Sequence, residues 1–220
     1  MTDPQAMDEQ LIRIPADVVT LEGKLALPGD ARGIVLFAHG SGSSRHSPRN
    51  RYVASELNRH GLATLLIDLL TAEEERVDAR TAHLRFDIEL LARRLVDASD
   101  WLAAQPQTAS LGLGIFGAST GGGAALVAAA QRPKRVNAVV SRGGRPDLAG
   151  AALPQLEAPT LLIVGGEDHV VIDLNRRALD QMSCDRTLHI VPGATHLFEE
   201  PGALEEVARL AGEWFSRHLK

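Results

Sequence analysis

Three residues of this chain have the types and the order needed for nucleophilic acyl transfer: Ser119, Asp168 and His196. A serine hydroxyl is a weak nucleophile until a neighbouring imidazole takes its proton, and the imidazole needs a carboxylate to hold its tautomer. Ser119 lies in Gly117-Ala-Ser119-Thr-Gly121, the pattern Gly-x-Ser-x-Gly. The pattern is short enough to recur by chance, so its surroundings carry the weight. Leu113-Gly-Ile-Phe116 before it reads as the end of a buried strand, and a helical run begins directly after it. On such a strand-turn-helix the serine sits at a strained, usually positive φ that pushes its hydroxyl clear of the sheet. Positions beside it then accept only glycine or similarly small residues. Gly121, Gly122 and Gly123 each cost about 1 kcal/mol against alanine in a helix, so their presence points to close backbone approach. The plainer alternative is a Gly-rich loop carrying an ordinary serine.

Downstream, the apolar run Thr160–Val164 leads into Gly165-Gly-Glu-Asp168, and Thr187–Val191 leads into Pro192-Gly-Ala-Thr-His196. Serine, acid and histidine thus follow in the order used by open α/β hydrolytic folds, each just past the carboxyl end of a strand. His196 is expected to take the Ser119 proton and Asp168 to hold the imidazole. Glu167 is expected to point into solvent, and Asp173 to cap the helix that follows it. His39, His46, His169 and His189 lack the position and read as structural or pocket-lining. His39-Gly-Ser-Gly-Ser-Ser44 follows the buried run Ile34–Ala38. The N–H groups of Ser41 and Thr120 would bind the negative oxygen of a tetrahedral intermediate, worth about 3 kcal/mol per donor. This loop could also merely cover the helix start, or cradle a phosphate with Arg45, Arg49 and Arg51, although no Gly-Lys-Ser/Thr signature accompanies it. Arg142 and Arg145 flank another turn at the same edge. If an arginine faces the site, with Arg49 and Arg142 the candidates, a substrate carboxylate would be preferred through a bidentate contact; solvated surface arginines are the alternative. Gly112-Leu-Gly114-Ile-Phe-Gly117 matches a dinucleotide fingerprint, but no buried strand precedes it and Val136-Asn-Ala-Val139 supplies no ribose-binding acid.

The elements that must position these residues are an alternation of buried strands and helices. Ile34–Ala38, Ala63–Ile67, Leu113–Phe116, Ala138–Val140 and Thr160–Val164 are continuous apolar runs, as in strands covered on both faces, and Thr187–Val191 is a weaker one. Helical spacing marks Asp87 to Leu102, Thr120 to Gln131, Asp173 to Met182 and Leu204 to Leu219. Right-handed crossovers then give a largely parallel sheet with helices on both faces. Leu11–Leu27 adds an antiparallel N-terminal edge, with a tight hairpin expected around Glu22-Gly23. The expected organisation is a tail at 1–10 and one domain at 11–220.

Composition narrows the function classes. The 220 residues are 45% hydrophobic and 23% charged with a net charge of -5, so no basic face for nucleic acid is expected. The single cysteine excludes an internal disulfide. A polar, acidic start without an apolar run, and no stretch of about 20 apolar residues, point to a cytoplasmic protein without a membrane span. No metal-ligand cluster and no cofactor motif stand out, and the expected state is a monomer or homodimer acting on a small-molecule ester.

The blocks His39-Gly-Ser-Gly-Ser, Gly117-Ala-Ser-Thr-Gly-Gly, Gly165-Gly-Glu-Asp and Gly193-Ala-Thr-His resemble the dienelactone-hydrolase-like branch of the α/β-hydrolases. The likeness runs from about Leu11 to the C-terminus. It implies the triad roles for Ser119, Asp168 and His196 and the oxyanion roles for Ser41 and Thr120. Dienelactone hydrolases carry cysteine at the elbow where this chain has Ser119, which points to a general carboxylesterase. Residues 142 to 159 leave no room for a helical cap, so an open site bordered by Ser43–Asn50, Leu69–Ala82, Arg142–Gly150 and Leu197–Glu200 is expected. Thioesterase, aminopeptidase-like and perhydrolase activities would use the same machinery. A binding module on this fold is a further class, though such modules usually lose a triad member.

Overall fold

The computed structural model describes residues 9–219. The expected tail lies outside them except for Glu9 and Gln10, which already belong to the first strand. Strands β1 (Glu9–Ala16) and β2 (Val19–Ala26) form the antiparallel hairpin. Its turn falls at Asp17-Val18, where Asp17 takes φ 51°, and not around Glu22-Gly23. Aspartate tolerates this left-handed conformation, whereas Gly23 lies mid-strand for packing. A Cβ at residue 23 would stand 3.1 Å from Leu65 and 3.2 Å from Ile67.

Six further strands follow: β3 (Gly33–Ala38), β4 (Ala63–Ile67), β5 (Gly112–Ala118), β6 (Val136–Arg142), β7 (Thr160–Gly165) and β8 (Arg186–Val191). They make one eight-stranded sheet in the order β1-β2-β4-β3-β5-β6-β7-β8. β2 pairs antiparallel with β4, and every pair from β4 to β8 is parallel. Parallel pairing sends the carboxyl ends of β3, β5, β7 and β8 to one edge, where the expected chemistry lies.

The helices are α1 (Pro48–Arg59), α2 (Ala72–Thr81), α3 (Ile88–Ala104), α4 (Thr120–Gln131), α5 (His169–Leu179) and α6 (Ala203–His218). On one face, Val53 and Leu57 of α1 and Val207, Ala211 and Phe215 of α6 bury against Val35, Phe37 and Phe116. On the other, Leu91, Leu95 and Leu102 of α3 and the alanines of α4 bury against Leu36, Leu65 and Ile115. Helix α4 is apolar nearly all round, as a helix enclosed by neighbours must be. Between β6 and β7 lie only short 3₁₀ turns at Pro146–Gln155, and among the described residues no helical cap is inserted there. Helix α5 starts at His169, ahead of the expected Asp173. The β-branched run Val170-Val-Ile172 conceals its first turn, which forms because Val171 and Ile172 pack on Val164. Asp173 is therefore inside the helix, exposed, with its carboxylate 3.5 Å from Arg176, and caps nothing.

Candidate active site

Ser119 closes β5 and opens α4 with φ 52° and ψ -122°, the strained conformation expected for it from the sequence. Backbone contacts fix it: the Ser119 N–H donates to the Arg142 carbonyl at 3.2 Å, and its own carbonyl accepts from Gly122 at 3.0 Å and Arg145 at 3.1 Å. The turn is also crowded. A Cβ at Gly121 would lie 2.5 Å from the His39 carbonyl, so only glycine lets α4 start this close to the end of β3.

Asp168 stands at the N-cap of α5, yet its side chain caps no backbone N–H. Its Oδ2 instead accepts from His196 Nδ1 at 2.6 Å. The loops carrying the pair are stacked: the Glu167 N–H donates to the Ala194 carbonyl at 3.0 Å. A Cβ at Gly165 would meet the Thr195 carbonyl at 2.6 Å, so this glycine permits the contact. Glu167 is exposed, 4.0 Å from His169. His196 and Ser119 face the same cavity of about 270 Å³ beside Ser41, Asn50, Arg49 and Arg142. No hydrogen bond joins Ser119 to His196 among the described residues; such catalytic contacts are often long until substrate is in place.

Ser41 borders this cavity, and Ser41 and Thr120 both border a second of about 440 Å³. Among the described residues neither backbone N–H has a hydrogen-bond partner, which suits the expected oxyanion donors. Their loop is held by His39, one of the histidines expected to be structural or pocket-lining. His39 is buried, its Nδ1–H donating to the Gly40 carbonyl at 2.9 Å while Nε2 accepts from the Leu69 N–H at 3.0 Å. Burial pushes its pKa below the ordinary histidine value, so the folded protein holds it neutral. The unfolded chain then binds more protons as pH falls through about 6.5, and His39 makes the protein less stable on acidification. His218, lowered by burial as well, contributes with the same sign. Thermal midpoints measured from pH 8 to pH 5 should fall, and His39→Gln should flatten that fall.

The structure separates the arginines. Arg45 is held by Asp68 and Glu22, and Arg145 pairs with Asp147 at 2.7 Å; neither is free for a phosphate or carboxylate. Arg49 lines the cavity shared by Ser119 and His196 and reaches the exposed Glu199 at 3.1 Å. Arg142 lines it too, 7% exposed, with no carboxylate partner among the described residues. Its guanidinium donates to Asn50 Oδ1 at 3.3 Å and lies 5.8 Å over the Phe198 ring. Burial, with Arg49 close by, brings its pKa down to about 10, so it stays charged near neutrality. Among the described residues no helix is long and apolar enough to cross a membrane, and no group of three His, Cys, Asp or Glu side chains could hold a metal ion.

Comparison with known proteins gives the same outline. A crystal structure of dienelactone hydrolase from Anabaena variabilis is 63% identical, with a TM-score of 0.96 over 98% of this chain and 100% of that one. A Pyrococcus furiosus esterase shares the fold at 16% identity, with a TM-score of 0.76 over 98% of this chain and 94% of that one. A Mycobacterium tuberculosis protein named as a phosphoribosyl transferase is 61% identical over 217 residues, which is 99% of this chain and 48% of that protein. The chain thus spans about half the length of the curated relatives it matches. The sequence pattern of the dienelactone hydrolase family covers residues 21–219, from the first hairpin to the last helix. This chain belongs to the dienelactone hydrolase family.

Proposed function

We propose that this protein hydrolyses small carboxylic esters through an acyl-enzyme on Ser119. The observation that carries the reading is the 2.6 Å Asp168–His196 pair on the cavity into which the strained Ser119 projects. In this mechanism Ser119 Oγ attacks the ester carbonyl while His196 Nε2 takes its proton. The negative oxygen meets the N–H groups of Ser41 and Thr120, and collapse expels the alcohol with the proton from His196. Water then enters by the same general-base route and releases the acid. Asp168 holds the imidazole with its proton on Nδ1 and stabilises the imidazolium.

The phosphoribosyl transferase name belongs to a protein about twice this chain's length. The Asp168–His196 contact beside Ser119 supports acyl transfer on this chain. Treatment with a fluorophosphonate should label Ser119 alone, read by peptide mass spectrometry. Side-by-side assays of p-nitrophenyl esters, thioesters and aminoacyl anilides should give the highest kcat/KM on an ester. Labelling elsewhere would remove Ser119 from its role, and a thioester or anilide preference would reassign the acyl bond.

A further inference from the structure

The catalytic cavity and its larger neighbour share Gly40, Ser41, Ser43 and Ser47, so they meet along the oxyanion loop. The position of His196 decides how an ester lies across them. After attack, the carbonyl carbon carries Ser119 Oγ, the oxyanion, the acyl chain and the alcohol oxygen. His196 must reach that alcohol oxygen to protonate it as the C–O bond breaks. The alcohol therefore lies in the cavity that His196 lines, and the acyl chain turns the other way, past Ser41 and Thr120.

The two cavities differ in chemistry. The one under α2 is walled by the buried Leu69, Leu70 and Leu91, with Glu75 and Ala79 descending from the helix. At about 440 Å³ it falls within the roughly 300–1,000 Å³ of small-molecule sites. Thr120 is 2% exposed there, and its hydroxyl has no partner among the described residues, a cost a ligand hydrogen bond would relieve. Asp78 is neutralised by Arg85. Glu75, exposed at the mouth, has no ion pair among the described residues, and partial desolvation with Asp68 and Asp78 close by raises its pKa against the opposing pull of Arg45 and Arg85; these carboxylates make this side disfavour an anion. The catalytic cavity has the opposite bias, because Arg142 is a buried cation without a counter-charge among the described residues and Arg49 stands beside it. An unpaired buried cation is costly, and an anion bound there offsets that cost.

We propose that the α2 cavity is the acyl subsite, taking an uncharged and mainly apolar acyl chain, while the Arg49–Arg142 cavity receives an alcohol that bears a carboxylate or phosphate. The proposal rests on the ester-hydrolase reading above. Its test uses p-nitrophenyl esters from acetate to octanoate on wild type, Ala79→Leu and Ala79→Phe. Residue 79 is on the exposed helix α2, so the fold should accept both side chains. The octanoate-to-acetate ratio of kcat/KM should fall stepwise, by about tenfold or more with phenylalanine.

Hexanoyl esters of glycolate, 3-hydroxypropyl phosphate and ethanol test the other arm. Either charged ester should exceed the ethyl ester in kcat/KM by about tenfold or more, and Arg142→Met should remove the advantage. Whichever charged ester leads identifies the anion. Equal kcat/KM for charged and neutral esters overturns the proposal. So does chain-length selectivity that responds to Arg142→Met and not to residue 79. Fluorophosphonate labelling of each variant separates the two readings: labelled enzymes with unchanged ratios sink only the subsite assignment, whereas an unlabelled wild type sinks the serine mechanism beneath it.

Discussion

Ser119→Ala should lower kcat by about 10³-fold or more on whichever ester the wild type cleaves best, with the fold intact. The loss is large because the covalent route disappears, leaving the oxyanion donors to act on direct attack by water. Stability should be nearly unchanged for reasons visible at the elbow. The Ser119 side chain makes no capping hydrogen bond, and the strained backbone is held by main-chain contacts to Arg142, Gly122 and Arg145 that alanine keeps. Thermal unfolding should therefore shift by no more than a surface substitution would cause, about 0.5 kcal/mol. Steady-state kinetics and a melting curve on one preparation check both halves. An Ser119→Ala enzyme that keeps its rate would require another nucleophile.

The parts of this molecule that could be read from sequence are those whose physics is local. Strands β3 to β7 are continuous apolar runs because helices cover both faces, and such runs look alike in any protein. The elbow was readable because three requirements coincide within a few residues: a strand end, small flanking positions and a helix start. Asp168 and His196 followed from strand ends and chain order. What escaped is set by partners distant in sequence. Gly23 looks like a turn residue until Leu65 and Ile67 are seen to fill its missing side chain. Helix α2 has few apolar positions, and its clearest mark is a capping box. Thr71 accepts from the Glu74 N–H at 3.2 Å, and Glu74 in turn accepts from the Thr71 N–H at 2.7 Å. The arginines teach the same lesson. Their type and proximity to the site were legible, but Asp68, Glu22 and Asp147 claim Arg45 and Arg145, while Arg142 is buried without a carboxylate partner among the described residues.

Asp168→Asn and Asp173→Ala, two acids near the same helix start, should separate catalysis from surface chemistry. Asp168 directs its carboxylate at His196 Nδ1 and leaves the helix N-terminus uncapped by its side chain. An amide there can donate to Nδ1, which moves the imidazole proton to Nε2, where it cannot take the Ser119 proton. The kcat should drop by up to about 10⁴-fold. Asparagine ranks with aspartate at an N-cap, so stability should change by about 1 kcal/mol or less. Asp173 sits on the exposed side of α5, its only ion pair the 3.5 Å contact to Arg176 among the described residues. Alanine loses that weak surface pair and gains helix propensity, so rate and thermal midpoint should both stay near wild type. The outcome to look for is a wide gap in kcat between variants whose melting curves nearly coincide. If Asp168→Asn kept full activity, the orienting carboxylate would have to come from elsewhere. Glu167 is next in the chain, but it is exposed and stands 4.0 Å from His169, so it would need a different loop conformation to reach His196.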